Sequence, residues 1–305
     1  MRRPDLSLAV GLLAGVLLAA GLCAPEARAQ SLRQAVQNLR PGGKLLLTGG
    51  VSTVEGSAGG GLASWAVIAG NETRDGIGAK ANVTYVHLPD YSLTSYGAAV
   101  GLFDRLELSY ARQDFDTGDT GAKLGLGQGF TFHQDIAGAK LKLAGDAVYG
   151  QDSWLPQVAV GAQYKHNDKG GVVHAVGGRD DSGVDYYVAA TKLLLADSLV
   201  INGTLRYTKA NQLGLLGFGG DRKAGYSPQF EASAGYLLSR RLVVGGEYRS
   251  KPDNLGFAHE SDWFDVFGAY AFTKTLSATL AYVDAGDIAT FRNQRGVYLS
   301  LQAGF

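Results

Sequence analysis

From about residue 77 to the C-terminus, apolar and polar side chains alternate in short runs, and no long segment carries a clean period of 3.6. Val297, Leu299, Leu301, Ala303 and Phe305 share one face, with Tyr298, Ser300, Gln302 and Gly304 on the other. Leu199, Ile201, Gly203, Leu205 and Tyr207 oppose Val200, Asn202, Thr204, Arg206 and Thr208 in the same way. Phe230, Ala232, Ala234 and Tyr236 oppose Gln229, Glu231, Ser233 and Gly235. A period of 2 is the mark of β-strands whose two faces meet different surroundings.

Tight polar turns separate several of these runs: Phe103–Leu106, Ala196–Leu199, Leu238–Arg241 and Thr273–Leu276. That is hairpin spacing. Other connections are long and rich in Gly and Asp: 114–129, 167–183, 209–227, 251–262 and 284–295. Short turns on one rim and long loops on the other fit strands at 43–50, 62–70, 77–87, 92–103, 105–115, 131–145, 156–166, 184–195, 198–209, 228–239, 241–251, 263–273, 276–286 and 295–305. Both termini then lie on the short-turn rim. The facing of 62–70 and 184–195 is ambiguous. Gly49–Gly61 reads either as a loop or as an inserted plug, which lowers the count from fourteen to twelve. The expected architecture is all-β: an antiparallel up-and-down barrel of 12–14 strands.

Alternation alone does not say which face is outside. A soluble barrel buries its apolar face, whereas a membrane barrel turns it to lipid and keeps the polar face for the lumen. Tyrosine position favours the membrane. Tyr85, Tyr110, Tyr164, Tyr207, Tyr248 and Tyr282 each sit on the apolar face near the long-loop end of a strand, with charged or polar residues next in the chain. A ring of amphipathic aromatics at one height is an interfacial girdle. Small residues on the apolar face, such as Gly97, Gly203 and Gly246, fill a soluble core poorly.

The first residues are a separate matter. Arg2 and Arg3, the apolar stretch Leu6–Leu22, and Ala27-Arg28-Ala29 have the form of a secretory signal peptide cleaved after residue 29. The barrel then occupies residues 30–305. Cys23, the only cysteine, leaves with the signal, so no disulfide holds the mature chain. Lys and Arg number 28 and Asp and Glu number 28, a balance unlike the basic excess of nucleic-acid binders. Apolar residues make up 46% of the chain, too many for a disordered one.

Chemistry is sparse. The five histidines, His87, His133, His166, His174 and His259, fall at strand ends or in long loops, and no catalytic set is read from their spacing. The acidic run Asp114–Asp119 places Gly118 too early for an EF-hand, so no metal site or other cofactor is expected. By parity the lumen is lined by Lys80, Glu107, Lys140, Lys142, Arg206, Glu231, Glu247 and Arg249, of both signs. Such a lining makes either a hydrated channel or a closed ion-pair network. Beyond the tyrosines, Arg112, Lys165, His166, Lys209, Arg249 and Lys251 are assigned to the outer rim, where they would meet lipopolysaccharide phosphates.

The chain ends on Phe305 after alternating apolar residues, which resembles bacterial outer-membrane barrels, whose assembly machinery reads that strand. Five stretches, Gly42–Val51, Leu108–Gln113, Asp116–Gly118, Gln151–Pro156 and Lys251–Phe257, resemble a proteobacterial family, domain of unknown function 3034, over nearly all of 41–305. The resemblance implies an outer-membrane barrel of a Gram-negative cell and supplies no activity. The expectation is a channel or small-solute uptake protein and not an enzyme. The alternatives are a structural or adhesive barrel and a hydrolase with a histidine on its rim.

Overall fold

The computed structural model describes residues 43–74 and 76–305. The proposed signal peptide lies outside the described residues. Two short strands, β1 (Val51–Ser52) and β2 (Ala58–Gly59), form a hairpin-like pair of their own. Twelve strands then build one closed barrel: β3 (Ile77–His87), β4 (Ser92–Leu102), β5 (Leu106–Asp116), β6 (Thr131–Ala144), β7 (Gln157–Asn167), β8 (Ser182–Leu194), β9 (Leu199–Thr208), β10 (Ser227–Ser239), β11 (Leu242–Arg249), β12 (Trp263–Ala271), β13 (Leu276–Asp284) and β14 (Arg295–Gly304). Each pairs antiparallel with its neighbour in sequence, and β14 closes on β3 from Val297↔His87 to Gly304↔Lys80. Closure leaves no open edge, so the ladder satisfies every strand's backbone groups from within.

Side-chain burial alternates along the strands in the sense a membrane requires. In β14, Tyr298, Ser300 and Gln302 are buried inside, while Val297, Leu299 and Leu301 are exposed outside. In β9, Asn202, Thr204 and Arg206 point in and Ile201, Leu205 and Tyr207 point out. An outer surface this apolar is untenable in water and is what lipid requires. All six tyrosines of the expected girdle are outward and exposed. Cross-strand partners thicken it: Tyr186 opposite Tyr207, and Phe264 opposite Tyr248. A second belt, of Tyr236, Tyr270, Phe272 and Phe305, lies toward the short-turn rim. From the level of Tyr207, which pairs with Pro228, to Tyr236 is eight residues of β10. At about 3.4 Å each and a tilt of about 40°, this gives roughly 20 Å between belts, close to the apolar band of outer-membrane barrels. The molecule is a transmembrane β-barrel of the outer-membrane type.

Fourteen strands become twelve because 43–50 and 62–70 are not barrel strands. Residues 51–70 are buried side by side, with no alternation. A run such as Ala63-Ser64-Trp65-Ala66-Val67-Ile68-Ala69 has no polar face to give the lumen and no separate apolar face to give lipid. It folds inside the barrel instead, against its inner wall. Glycine makes the fit. A Cβ on Gly60 would lie 1.7 Å from Glu247 Oε1 on β11, and Gly56, at φ +86°, turns against Ala111 of β5.

The expected short turns 103–105, 195–198, 240–241 and 272–275 share one rim, with the 145–156 connection and the C-terminus. The opposite rim carries the β3–β4 turn and the five long loops. Those loops hold a short helix α1 (Thr120–Lys123), a second α2 (Gly170–Ala175) and a 3-10 turn at Asn211–Gly214.

Candidate functional site

Polar side chains of the inner wall grip the internal segment 51–70. Glu55 of this segment is fully buried and collects the largest group of them. Arg249 Nη1 and Nη2 donate to Glu55 Oε2 and Oε1 at 2.8 and 3.2 Å, a two-pronged pairing. Lys165 donates to Glu55 Oε1, and Arg206 Nη2 stands 3.6 Å from Oε2. Asp185 pairs with Lys165 at 2.7 Å and with Arg206 at 3.4 Å. Glu231 accepts from Arg206 Nε at 2.5 Å and lies 3.5 Å from Arg249 Nε. Three cations therefore face three carboxylates, and the buried lattice is neutral. Each arginine also reaches the internal segment directly: Arg206 Nη2 donates to Ser64 Oγ at 2.9 Å, and Arg249 Nη1 to Leu62 O at 3.0 Å.

A second set clamps the segment by its backbone. Lys140 donates to Ala58 O and Val67 O, both at 2.9 Å, and to Glu107 Oε2 at 3.0 Å. Glu107 accepts from the amides of Ala58 and Ala69 at 3.1 and 2.8 Å. Glu247 accepts from Leu62 N at 2.7 Å, and Glu231 from Ser64 N at 2.8 Å. Lys80 donates to Gly50 O at 2.7 Å. A segment with little regular structure is thus supplied with partners by the wall, as buried backbone groups require.

All eight expected lumen residues are buried and point inward. Lys80, Glu107, Lys140, Arg206, Glu231, Glu247 and Arg249 hold the plug. Lys142 instead bonds Asp104 at 2.5 Å on the short-turn rim. They line an interior that residues 51–70 occupy.

The outer-rim assignment needs correction for three residues. Lys165 and Arg249 are buried in the lattice, because each directly follows an outward tyrosine and so must face in. Lys251 is buried against Gln212, at 3.1 Å, and 5.1 Å over the Trp263 ring. Burial lowers its ammonium pKa to about 8, and burial raises neighbouring Glu260 to about 7. Arg112, beside Asp114 and Asp135, and His166 remain on the surface, and Lys209 pairs there with Asp180 at 2.7 Å.

Sequence reasoning missed Glu55 and Asp185 as lumen residues. Glu55 sits in a run without periodicity, and nothing in its neighbours marks it. Asp185 is the direct partner of inward Gln163, a pairing invisible without the register.

Three of the rim histidines have a polar partner at hydrogen-bond distance. His133 Nδ1 lies 2.6 Å from Asp114, His259 Nδ1 2.9 Å from Asp253, and His174 Nδ1 3.1 Å from Gly178 O. Among the described residues no serine or threonine hydroxyl hydrogen-bonds to any of these rings. Nor do three His, Cys, Asp or Glu side chains gather to hold a metal there.

Two cavities flank the plug. Toward the short-turn rim, one of about 620 Å³ is bounded by Lys44, Lys80, Arg240 and Lys274. On the long-loop side, an apolar one of about 370 Å³ has Val54 and Leu62 of the plug among its walls.

The model of a family described as "Protein of unknown function (DUF3034)" matches residues 48–302. No curated protein matches the sequence. Among solved structures, the "KdgM porin" is similar at 9% identity and TM-score 0.48, covering 74% of this chain and 99% of its own. The NanC porin is similar at 11% and 0.44, covering 74% and 98%. The outer membrane phospholipase A from Escherichia coli is similar at 12% and 0.41, covering 73% and 95%.

Proposed function

The chain belongs to the family described as Protein of unknown function (DUF3034), and for this member we propose a gated channel for uptake of a small solute. The supporting observation is the plug itself: residues 51–70 fill the lumen and are held by a neutral lattice centred on Glu55. A purely structural barrel has no use for three cations converging on one carboxylate of a removable segment, since apolar side chains fill an interior at lower electrostatic cost. Buried ionic contacts are instead suited to a two-position element, because water can replace them once the segment moves. With the plug in place the barrel is closed to ions. With the plug displaced, Lys140, Arg206, Glu231 and Arg249 line a hydrated path, and the solute leaves by the cationic cavity at the short-turn rim. The long loops face outward, and the short-turn rim faces the periplasm.

The test is recording from purified protein in planar lipid bilayers. The reading predicts long closed periods broken by discrete openings. A permanently open pore from the wild type contradicts the plug's role, and complete silence even after the lattice is broken contradicts a channel of any kind.

A further inference from the structure

The cavity on the long-loop side has the character of a small-molecule site. Its volume of about 370 Å³ falls within the range of ligand pockets. Its walls come from the β3–β4 turn and from all five long loops, and its floor from Val54 and Leu62 of the plug. Leu88, Leu93, Phe115 and Phe132 make the lining apolar. Nearly every polar group on the wall is already committed within the protein. Tyr91 OH donates to Ile288 O, Tyr298 OH to Ser52 O, and Thr117 Oγ1 to Phe130 O. Gln212 donates to Asp287 O and accepts from Lys251. The Trp263 indole Nε1 has no hydrogen-bond partner among the described residues, but it is shut off from the cavity as well, so the ring offers only its apolar surface.

We infer that this cavity takes an uncharged, largely apolar molecule of ring-system size. The apolar wall selects against ions, since no charged side chain lines it. Lys251 lies behind Trp263 and Gln212 and is bonded to Gln212 and to Ala285 O. The ligand would rest on Val54 and Leu62, the neighbours of Glu55 and of the Glu247 clamp, so occupancy is felt first by the plug. The inference deepens the uptake reading, and rests on it only for the passage of the ligand after it has bound.

Trp263 reports on its own pocket. The chain has 3 tryptophans, and Trp65→Phe with Trp154→Phe leaves Trp263 as the only one. That variant, in lipid nanodiscs, is titrated with 4-bromobenzophenone, an apolar ketone whose bromine quenches indole fluorescence. Saturable quenching is expected. The charged 4-bromobenzoate should give no saturable signal, since no charged side chain lines the cavity. Val172→Phe, which adds bulk at a lining position, should weaken binding at least tenfold while the barrel keeps its heat-modifiable gel migration. Quenching that rises linearly without saturation, or that is equal for the ketone and the benzoate, or that is unchanged in Val172→Phe, overturns the inference. Saturable quenching combined with a Glu55→Gln variant that never conducts upholds the pocket and removes the uptake reading. Conductance without saturable quenching does the reverse.

Discussion

Replacing Glu55 by glutamine takes one negative charge out of a lattice in which Lys165, Arg206 and Arg249 are balanced by Glu55, Asp185 and Glu231. The plugged state is then left with an uncompensated buried positive charge, and the two-pronged bond to Arg249 is lost. Removing one partner of a buried pair typically costs about 3–5 kcal/mol. With the plug displaced, the same three cations face water and the substitution costs little. At about 1.4 kcal/mol per tenfold, the displaced population should rise by roughly two to three and a half orders of magnitude. Single-channel recording in planar bilayers reads this as open probability. The strand ladder is untouched, so the barrel's own unfolding temperature should move little. A second substitution, Arg249→Gln on top of Glu55→Gln, leaves two cations against two carboxylates and should bring open probability part of the way back. An open probability within threefold of wild type in Glu55→Gln would refute the latch.

Contacts outside the lattice give smaller effects. Burial raises the Glu72 carboxyl from the ordinary 4.5 to about 7, so the folded protein holds that proton more tightly than the unfolded chain. Its contribution to stability is therefore full below about pH 4.5 and is lost as pH rises through 7; Glu72→Gln should flatten the wild-type fall in unfolding temperature across that interval. Deleting Phe305 removes the carbonyl that accepts from Asn71 N and Ala79 N, at 2.8 and 3.2 Å. Loss of such bonds costs about 1 kcal/mol each, yet outer-membrane levels should fall several-fold if assembly machinery reads this strand; unchanged levels on a membrane-fraction blot speak against that. Arg112→Gln with Lys209→Gln should lower the unfolding temperature in lipopolysaccharide-containing bilayers but not in neutral detergent, and by little, since exposed pairs are worth about 0–1 kcal/mol. Equal loss in both media would assign these residues to their protein partners Asp114, Asp135 and Asp180.

The barrel is legible in the sequence because its constraint is local. Inside and outside differ along every strand, so Leu299 and Ser300, or Tyr207 and Arg206, declare their faces by parity alone. The tyrosine belt comes from the same parity. The plug is legible only as an alternative reading of Gly49–Gly61, because residues buried on all sides carry no period. Its full length is hidden for the same reason: 62–70 has the apolar content of a strand but no second face. The lattice is half visible. Arg206, Glu231 and Arg249 lie on clear strands, but their meeting at Glu55 depends on register and closure across β7–β11. Lys165 can be placed from its parity with Gln163; its position next to Tyr164 marks the opposite face of the strand and not height above the membrane. The outer cavity leaves no mark in the sequence, since its lining is gathered from six separate connections, each ordinary alone.

Accessibility of a single thiol at Ser64 tests most directly whether the plug occupies the lumen and is held there by Glu55. Ser64 is fully buried at the centre of the barrel, bonded to Arg206 and Glu231, and the only native cysteine is Cys23. In lipid bilayers, Ser64→Cys should react slowly with a small charged thiosulfonate reagent in the otherwise wild-type chain. Combined with Glu55→Gln it should react at least tenfold faster. Rapid labelling of Ser64→Cys with Glu55 intact would contradict the account, as would equal rates with and without Glu55.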